Sequence, residues 1–421
     1  MHIYFAGIGG VAIGPLAEIA QEAGYEVSGS DLASSMMTEQ LKQRGIDVTI
    51  GQTGAEIAAV HLAHPINWVV ITSALPPNHP EIAFAKVHGI RLSKRDALLN
   101  HIIADKKLKL LAMTGTHGKT TTTAMMVWLF KQFDVPAAYS VGTTLTFGPS
   151  GHFDAHANYF IYEADEYDRN MLHFHPAICL IASLDYDHPD TYPTVDNYKQ
   201  AFRDFIDQSQ KVYMWHKDLE YVGLQPQPKI EIVRQSYQAI TLHGEHNRQN
   251  ATLVATSFAQ LFPEFTLVDI MAALNHFPGT ARRFEKLADN LYTDYAHHPA
   301  EIAAMVRSAA ELSEHVVVVY QPHQNRRQHE VIHDYKNSFV GAEHVYWLPT
   351  YLSREDPNQA VLTPSQLISH LHDPTIAEPA ELDDQLIQHI RTAHAQGKLV
   401  LVMGAGNVDT WLRQHVAAIL G

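Results

Sequence analysis

Short apolar runs alternate with amphipathic segments over the first part of the chain. The runs "HIYFAGIGG", "YEVSGSD" and "NWVVITSAL" are typical of strands, whereas "AIGPLAEIAQEAG" and "HPEIAFAKVHG" are typical of helices. Strands that alternate with helices form βαβ units, in which the strands lie parallel. We therefore predict a first α/β domain with a parallel sheet over residues 1–105.

The same alternation occurs twice more along the chain. A second cycle contains "KLKLLAMTG", "YFIYEADE", "AICLIASLD" and "VDNYKQAFRDFIDQS", and a third contains "FPGTARRFEKL", "HVVVVYQPH" and "KLVLVMGAGN". Within the second cycle, the segment "QPQPKIEIVRQSYQ" is predicted to form a surface connection or short strands. We therefore predict an α/β protein with three domains, whose second and third domains cover residues 106–277 and 278–421.

Composition and charge narrow the class of protein. The chain has 421 residues, of which 46% are hydrophobic and 18% charged, as in ordinary globular proteins. Its net charge of -15 disfavours a nucleic-acid partner, because the molecule as a whole repels polyanions. A single cysteine, Cys179, lies in an apolar run, and the sequence has no long apolar segment. We expect a cytoplasmic protein without a membrane partner.

A phosphate-binding loop is predicted in "LLAMTGTHGKTTTTAMMVWLF". Phosphate binding needs glycines that let the backbone approach the oxygens, amide groups at a helix N-terminus and a lysine for charge. Gly115, Gly118 and Lys119 stand where the predicted strand turns into the helix, and the Thr120 hydroxyl would reach a magnesium ion. The general pattern has a glycine where this chain has Met113.

Acidic residues follow two further apolar runs of the second cycle. Glu163 ends "NYFIYE", with Asp165, Glu166 and Asp168 close behind, and the second run is followed by Asp185, Asp187, His188 and Asp190. Mg-ATP requires hard oxygen ligands near the γ-phosphate, and acids at neighbouring strand ends would supply them. The alternative is that such acids only cap helices.

A second glycine turn, "GIGGVA", contains Gly7 and Gly9 and is followed about twenty residues later by Asp31. Alone, this pattern would favour an NAD-dependent dehydrogenase. The same backbone geometry, however, binds any diphosphate, including that of a UDP-sugar.

Taken together, these segments resemble the Mur ligase family. The resemblance is carried along nearly the whole chain by motifs in the family's order: "GIGGVAIGPLA", "SGSD", "TSAL", "GTHGKTTTT", "EADEYD", "DYDHPDTY", "GEHNRQNA", "GTARRFE", "DYAHHPAEI", "QPHQNRR" and "MGAGNV". It implies a Rossmann-like UDP-sugar-binding domain, a central phosphate-loop ATPase-type domain and a C-terminal Rossmann-like domain. It also implies an ATP-dependent ligase, and "QPH" with an arginine four residues on indicates the branch that joins L-alanine to UDP-N-acetylmuramate through an acyl phosphate.

The resemblance assigns roles to individual residues. It implies catalytic roles for Lys119, Glu163 and His188, with Thr120 and Glu163 as ligands of one Mg²⁺ and His188 as a ligand of a second. ATP would contact residues of the loop, the junction and the third domain, namely Gly115, Thr116, His117, Gly118, Lys119, Thr120, Thr121, Asn247, Arg283 and Asp294. The UDP-sugar would contact Gly9, Gly10, Asp31 and Ser73, and the amino acid would contact Tyr295, His323 and Arg327.

Two positions depart from the family's patterns. Gln324 stands where an arginine is common in the alanine-adding branch. Phe202 stands where some family members carry a carbamoylated lysine, so we do not predict that modification. The resemblance implies ATP, Mg²⁺ and small-molecule substrates, with a monomer or a homodimer as the assembly.

Three other functions remain open at this point. A recycling ligase that attaches a tripeptide to the same UDP-sugar would share the first two domains. A phosphate-loop ATPase that acts as a conformational switch would explain the central domain alone. The H-E-x-x-H pattern from His329 to His333 would suit a zinc peptidase, although a solvated helix explains these histidines better, and surface positions explain His173 and His175.

Overall fold

The computed structural model describes residues 1–72, 74–188, 191–353 and 355–421. One compact unit contains residues 1–240 and 250–277, and a second contains residues 241–249 and 278–421. Across the described residues the chain forms three sheets, two in the first unit and one in the second. This α/β architecture with largely parallel sheets confirms the predicted fold class, whereas the three domain boundaries stay a prediction.

The first sheet is parallel, and its order in the described chain is β3-β2-β1-β4-β5. Its strands are β1 (His2–Ala6), β2 (Glu26–Asp31), β3 (Asp47–Ile50), β4 (Trp68–Ile71) and β5 (Arg91–Lys94). The helices between and after them are α1 (Gly14–Glu22), α2 (Met36–Gln43), α3 (Ala55–Ala63), α4 (Pro80–Val87) and α5 (Arg95–Asp105). β1 is central and buried along its whole length, which explains its unbroken apolar sequence.

The second sheet has the order β12-β11-β10-β6-β9-β7-β8 among the described residues, with an antiparallel edge at β8. Its strands are β6 (Lys109–Thr114), β7 (Ala138–Ser140), β8 (Gly151–His152), β9 (Tyr159–Glu163), β10 (Ile178–Ile181), β11 (Lys211–Trp215) and β12 (Ile230–Val233). Its helices are α6 (Lys119–Gln132), α7 (Val195–Gln208), α8 (His216–Val222), α9 (Glu245–Leu261), α10 (Leu267–Asn275) and a 3-10 helix (Tyr167–His173). The segment "QPQPKIEIVRQSYQ" thus contributes one short edge strand, as one of its two interpretations predicted.

A single apolar cluster connects the first two sheets. It extends from Ile3 and Phe5 of β1 to Phe205 of α7 and Ile230 of β12. Polar contacts add to it, since the Phe153 N–H donates to Glu22 Oε2 at 2.7 Å. The shared core explains why two sheets that the sequence assigns to separate domains fold as one unit.

The third sheet, in the second unit, has the order β13-β14-β18-β15-β16-β17 within the described chain. Its strands are β13 (Glu285–Ala288), β14 (Leu291–Asp294), β15 (Val316–Gln321), β16 (His344–Trp347), β17 (Ala377–Pro379) and β18 (Leu399–Gly404). Its helices are α11 (Pro299–Ala310), α12 (Asn325–Val331), α13 (Pro364–Ile368), α14 (Asp384–Ala395), α15 (Val408–Leu420) and the 3-10 helices Ile332–Asn337 and Pro374–Ile376. Separate apolar clusters cover its two faces. Each face is therefore sealed by helices, as a mostly parallel sheet requires.

Candidate functional site

The predicted phosphate loop lies between β6 and α6. Gly115 has a φ of 130°, and a Cβ atom there would lie 2.6 Å from the Ser183 carbonyl oxygen. Gly118 has a φ of 85°, and a Cβ there would lie 2.8 Å from Asn250 Oδ1. Positive φ and close neighbours both restrict these positions to glycine. The loop therefore brings its backbone to the start of α6, where amide groups converge.

Sheet order places the predicted acidic strand ends beside this loop. β6 pairs with β9 on one side and with β10 on the other. Glu163 ends β9, and the segment with Asp185 and His188 follows β10. Because parallel strands end at the same edge of a sheet, both acidic segments flank the loop.

Lys119 makes a compact set of contacts inside the loop. Its Nζ donates to Glu166 Oε1 at 2.9 Å, to the Gly115 carbonyl at 2.8 Å and to the Thr116 carbonyl at 3.2 Å. Burial alone would lower the pKa of Lys119 and raise that of Glu166. Their mutual attraction outweighs burial, so the pKa of Lys119 is raised and that of Glu166 is lowered. Both groups are therefore held in the charged form.

Thr120 and Glu163 form an oxygen-rich pair at the start of α6. Thr120 Oγ1 donates to Glu163 Oε1 at 2.8 Å, and the Gly142 N–H donates to Glu163 Oε2 at 2.7 Å. Among the described residues, no group of three His, Cys, Asp or Glu side chains forms a metal cage. The pair nevertheless fits Mg²⁺, which usually takes one or two carboxylates and completes its shell with phosphate oxygens and water.

His188, in the segment that follows β10, has a positive-φ backbone conformation, with φ 58°. Its Nε2 is 3.5 Å from Glu166 Oε1 and 3.7 Å from Asp187 Oδ2. Burial alone would lower the pKa of His188, but Glu166 and Asp187 raise it above its ordinary value. Asp190 lies outside the described residues.

The remaining predicted loop residues lie at the turn and in the first turn of α6. Thr116 Oγ1 donates to the Asp185 carbonyl at 2.6 Å and accepts from the Asp185 N–H at 2.8 Å. This exchange fixes the loop against the segment that follows β10. His117 and Thr121 flank the same turn.

In the first glycine turn, a backbone amide donates a hydrogen bond to the carboxylate of Asp31. The Gly9 N–H donates to Asp31 Oδ2 at 2.8 Å, and the Gly10 N–H donates to the Gly7 carbonyl at 3.1 Å. Two of the predicted UDP-sugar residues, Gly9 and Asp31, are thus in contact, and Gly10 lies in the same turn. Ser73, the fourth, lies outside the described residues.

A cleft of about 270 Å³ connects this turn with the phosphate-loop region inside the first unit. Val11, Ala12 and Pro15 line it from the glycine turn and α1, whereas Glu163 and Asp165 line it from the end of β9. A ligand in this cleft would therefore touch both the diphosphate-type turn and the predicted metal ligand.

Three predicted ATP-contacting residues lie in the second unit. The Asn247 amide donates to the His243 carbonyl at 2.9 Å, and the Arg283 guanidinium lies 5.1 Å from the centre of the Tyr295 ring. Asp294 is 3% exposed and accepts from the N–H groups of Phe284 and Ala296, each at 2.6 Å. Burial raises the pKa of Asp294 to about 6. Its predicted contact with ATP stays a prediction.

The predicted amino-acid residues gather around His297. The His297 ring centre lies 5.4 Å from that of Tyr295 and 5.9 Å from that of His323. Burial lowers the pKa of His297 to about 4; Arg327 and His323 act in the same direction, while Glu301 opposes them. The structure therefore places Tyr295 and His323 beside a neutral histidine, and Arg327 lies in the helix α12 that follows His323. Gln324 precedes α12 with a φ of 62°.

The two histidine patterns set aside earlier do not form metal sites within the described chain. His329 lies in α12, and its Nε2 contacts the Ala360 carbonyl at 2.9 Å, whereas His333 lies in the following 3-10 helix beside His370. The pattern therefore does not occupy one α-helix. His173 and His175 are exposed, as predicted.

Sequence reasoning did not predict the contacts of three residues that the structure places in these neighbourhoods. Glu166 stands in the "EADEYD" motif, but its pairing with Lys119 depends on the order of the strands. His297 is one of two adjacent histidines in "DYAHHPAEI", and nothing in the motif distinguishes them. Arg95 lines the cleft from α5 without any motif around it.

Fold and site together define a nucleotide-binding α/β protein in which a phosphate loop faces acidic strand ends. Models of the "Mur ligase family, catalytic domain", the "Mur ligase middle domain" and the "Mur ligase, glutamate ligase domain" match residues 2–107, 113–237 and 282–406. The chain belongs to the Mur ligase family.

Curated relatives match along almost the whole chain. A UDP-N-acetylmuramate--L-alanine ligase of Dinoroseobacter shibae is 29% identical, covering 97% of this chain and 95% of the relative. The enzyme of the same name from Carboxydothermus hydrogenoformans is also 29% identical, with the same coverage.

Solved structures share the fold. The UDP-N-acetylmuramate-alanine ligase of Thermotoga maritima superposes with a TM-score of 0.75 at 22% identity, covering 99% of both chains. A murein peptide ligase of Psychrobacter arcticus superposes with a TM-score of 0.65 at 22% identity, covering 100% of this chain and 98% of the other. No helix among the described residues is long and apolar enough to cross a membrane.

Proposed function

We propose that the chain joins L-alanine to the carboxylate of UDP-N-acetylmuramate, with cleavage of ATP to ADP and phosphate, in peptidoglycan precursor synthesis. The observation that carries the proposal is a cleft in one folded unit that is lined by Val11 and Ala12 of the first glycine turn and by Glu163, which accepts a hydrogen bond from Thr120 of the phosphate loop. The named reaction of the full-length relatives supplies the substrates. We place the reaction in the cytoplasm, where ATP and nucleotide sugars are made, and in a monomer or a homodimer.

The reaction has two covalent steps. A carboxylate oxygen of the sugar acid first attacks the γ-phosphorus of ATP, which releases ADP and leaves an acyl phosphate. The amino nitrogen of alanine then attacks the carbonyl carbon, and inorganic phosphate leaves as the amide forms. Activation is needed because a free carboxylate is a poor acceptor for an amine.

The residues of the phosphate loop would bind and orient ATP. Lys119 would exchange its contacts with Gly115 and Thr116 for the β- and γ-phosphates, while Glu166 keeps it charged. Thr120, Glu163 and His188 would hold Mg²⁺, which offsets negative charge on the transferring phosphoryl group. Asn247, Arg283 and Asp294 are the further residues that we propose to contact ATP.

The cluster around His297 would bind alanine. The Arg327 guanidinium suits the amino-acid carboxylate, which it can hold with two parallel hydrogen bonds. A neutral His297 adds no charge that would repel the amine. Tyr295 and His323 would form the walls of this pocket.

The test compares amines under one set of conditions. ADP release from Mg-ATP and UDP-N-acetylmuramate is measured with L-alanine, glycine, L-serine, the tripeptide or no amine, and the product is identified by mass. We expect the highest kcat/KM with L-alanine. A product formed only with the tripeptide would assign the chain to the recycling branch, and ADP release independent of sugar and amine would favour the ATPase switch.

Two adjacent arginines supply a matched control for the amine site. Arg327→Met should raise the KM for alanine roughly tenfold to hundredfold, the usual effect of losing a hydrogen-bonded charge. Arg326→Met should leave it unchanged, because Arg326 is 58% exposed and lies 3.5 Å from Glu330 on the same helix. Equal effects from both variants would argue against the proposed carboxylate contact.

A further inference from the structure

The cleft of the first unit has an uneven charge distribution. Its walls are largely apolar, with Val11, Leu16, Leu99 and Val141 among them. Glu163 and Asp165 bring negative charge, and Arg95 is the only cationic side chain among the described residues that line it. An anionic ligand in this cleft therefore meets one positive side chain.

Arg95 lines the same cleft as Asp165 and as Glu163, the last residue of β9. It is the first residue of α5, directly after β5, and its side chain is 32% exposed. Its Nε is 3.4 Å from Asp96 Oδ1. Burial alone would lower the pKa of Arg95, but Tyr162, Asp96 and Asp165 raise it above its ordinary value.

A sugar nucleotide acid has two anionic groups, a diphosphate and a carboxylate. The position of Arg95 indicates which of the two it would bind. The glycine turn, with Val11 and Ala12, lines the part of the cleft suited to a diphosphate. Glu163 and Asp165 line another part of the cleft, and under the proposed function the metal held by Glu163 would bring the γ-phosphate and the reacting carboxylate there. A guanidinium offers a planar pair of donors that matches a carboxylate.

We propose that Arg95 binds the carboxylate of the sugar nucleotide and holds it beside Glu163, so that the cleft selects an acid over a neutral sugar nucleotide. This inference rests on the proposed function. Arg95 offsets the repulsion that Glu163 and Asp165 exert on an incoming carboxylate, and its short distance to Asp96 limits the orientations that its side chain adopts.

The test measures binding rather than turnover. Calorimetry compares UDP-N-acetylmuramate with UDP-N-acetylglucosamine, which shares the uridine diphosphate and the acetylated sugar but has no carboxylate. The wild-type chain should bind the acid more tightly. Arg95→Gln should weaken binding of the acid roughly tenfold to hundredfold and leave binding of the neutral compound unchanged. Arg95→Lys, which keeps the charge but not the paired donors, should fall between the two.

Two further variants separate ligand binding from a structural role. Asp96→Asn removes the ion-pair partner of Arg95 and should keep the preference for the acid. Lys94→Gln removes an adjacent surface cation, 56% exposed and 3.4 Å from Asp168, and should also keep it. If Asp96→Asn reproduced the loss seen with Arg95→Gln, Arg95 would act only as a partner of Asp96 and the proposal would be overturned.

The remaining outcomes are distinct. Equal weakening of both nucleotides by Arg95→Gln would place Arg95 on the shared diphosphate and overturn the carboxylate assignment. Normal ligation by the wild-type chain together with an unchanged preference in Arg95→Gln would overturn this inference alone. Failure of the wild-type chain to bind or ligate the acid would overturn the proposed function and the inference with it.

Discussion

Two glycine turns of the first unit both connect a strand to a helix, but the side chains that contact the two turns have opposite charge. In the turn between β1 and α1, the Gly9 N–H donates to the Asp31 carboxylate at 2.8 Å. In the turn between β6 and α6, the carbonyls of Gly115 and Thr116 accept from the Lys119 ammonium. A carboxylate therefore closes the first turn and an ammonium group closes the second.

This difference separates two kinds of ligand contact. The carboxylate of Asp31 repels phosphate near Gly9 and accepts from N–H or hydroxyl donors, so we expect a diphosphate to bind farther along the turn. Lys119 attracts phosphate directly, and its partner Glu166 keeps it charged. Strand–turn–helix geometry alone thus does not define the ligand, because the side chain that closes each turn decides which part of a nucleotide it suits.

The largest expected effect comes from removing the cation of the second turn. Lys119→Ala should lower kcat for ligation by roughly 10³-fold or more, since charge on the transferring phosphoryl group is no longer offset. Binding of UDP-N-acetylmuramate, measured by calorimetry, should stay nearly unchanged.

Because Glu166 is buried, its charge would lose a partner in Lys119→Ala and the fold could suffer. The double variant Lys119→Ala/Glu166→Gln removes that charge and serves as the control for folding. Loss of UDP-sugar binding in the double variant would contradict the division of tasks between the two turns.

A smaller effect is expected from opening the first turn. Asp31→Ala removes the acceptor of the Gly9 N–H and should weaken UDP-sugar binding about fivefold, which corresponds to about 1 kcal/mol of binding free energy. The KM for ATP should not change. Asp47→Ala, at an exposed carboxylate on the neighbouring strand β3, is the control and should affect neither. A rise in the KM for ATP with Asp31→Ala would show that the two turns do not act separately.

The smallest expected effect is a pH dependence specific to the second turn. The raised pKa of His188 contributes stability that is fully present below its ordinary value of about 6.5 and is lost as pH rises through the folded value. The lowered pKa of Glu166 contributes stability that is present above about 4.3 and is lost as pH falls through its folded value. These two contributions are therefore both present between about pH 4.5 and 6.5.

His188→Asn tests the alkaline side of this window, because asparagine tolerates the positive φ at this position. The melting temperature of the variant, followed from pH 6 to pH 9, should fall less than that of the wild-type chain. Parallel curves for the two chains would show that His188 does not carry this dependence.

Local patterns predicted much of the fold. The alternation of strands and helices led to three α/β sheets, and the glycines and lysine of "TGTHGKTT" predicted a loop at the start of α6. Acids at the ends of β9 and β10 were expected beside that loop, and sheet order confirms their position. Each of these features depends on residues that are close together in the sequence. The spacing and polarity of those residues were therefore sufficient to predict it.

Other features depend on contacts between distant segments. The apolar cluster shared by the first two sheets makes one unit of segments that the sequence assigned to separate domains. No periodic pattern along the chain reports which helix of one sheet will pack against the other. The number of compact units was therefore beyond the sequence.

The sequence by itself determined the family, the three α/β sheets and the phosphate loop, because each is written in local spacing and in the order of motifs. Only the tertiary structure paired Lys119 with Glu166, placed His297 among the residues predicted for the amine and set Arg95 in the cleft. These three placements arise from strand order, burial and the approach of separate helices. The charge state of each side chain depends on neighbours that are far away in the sequence.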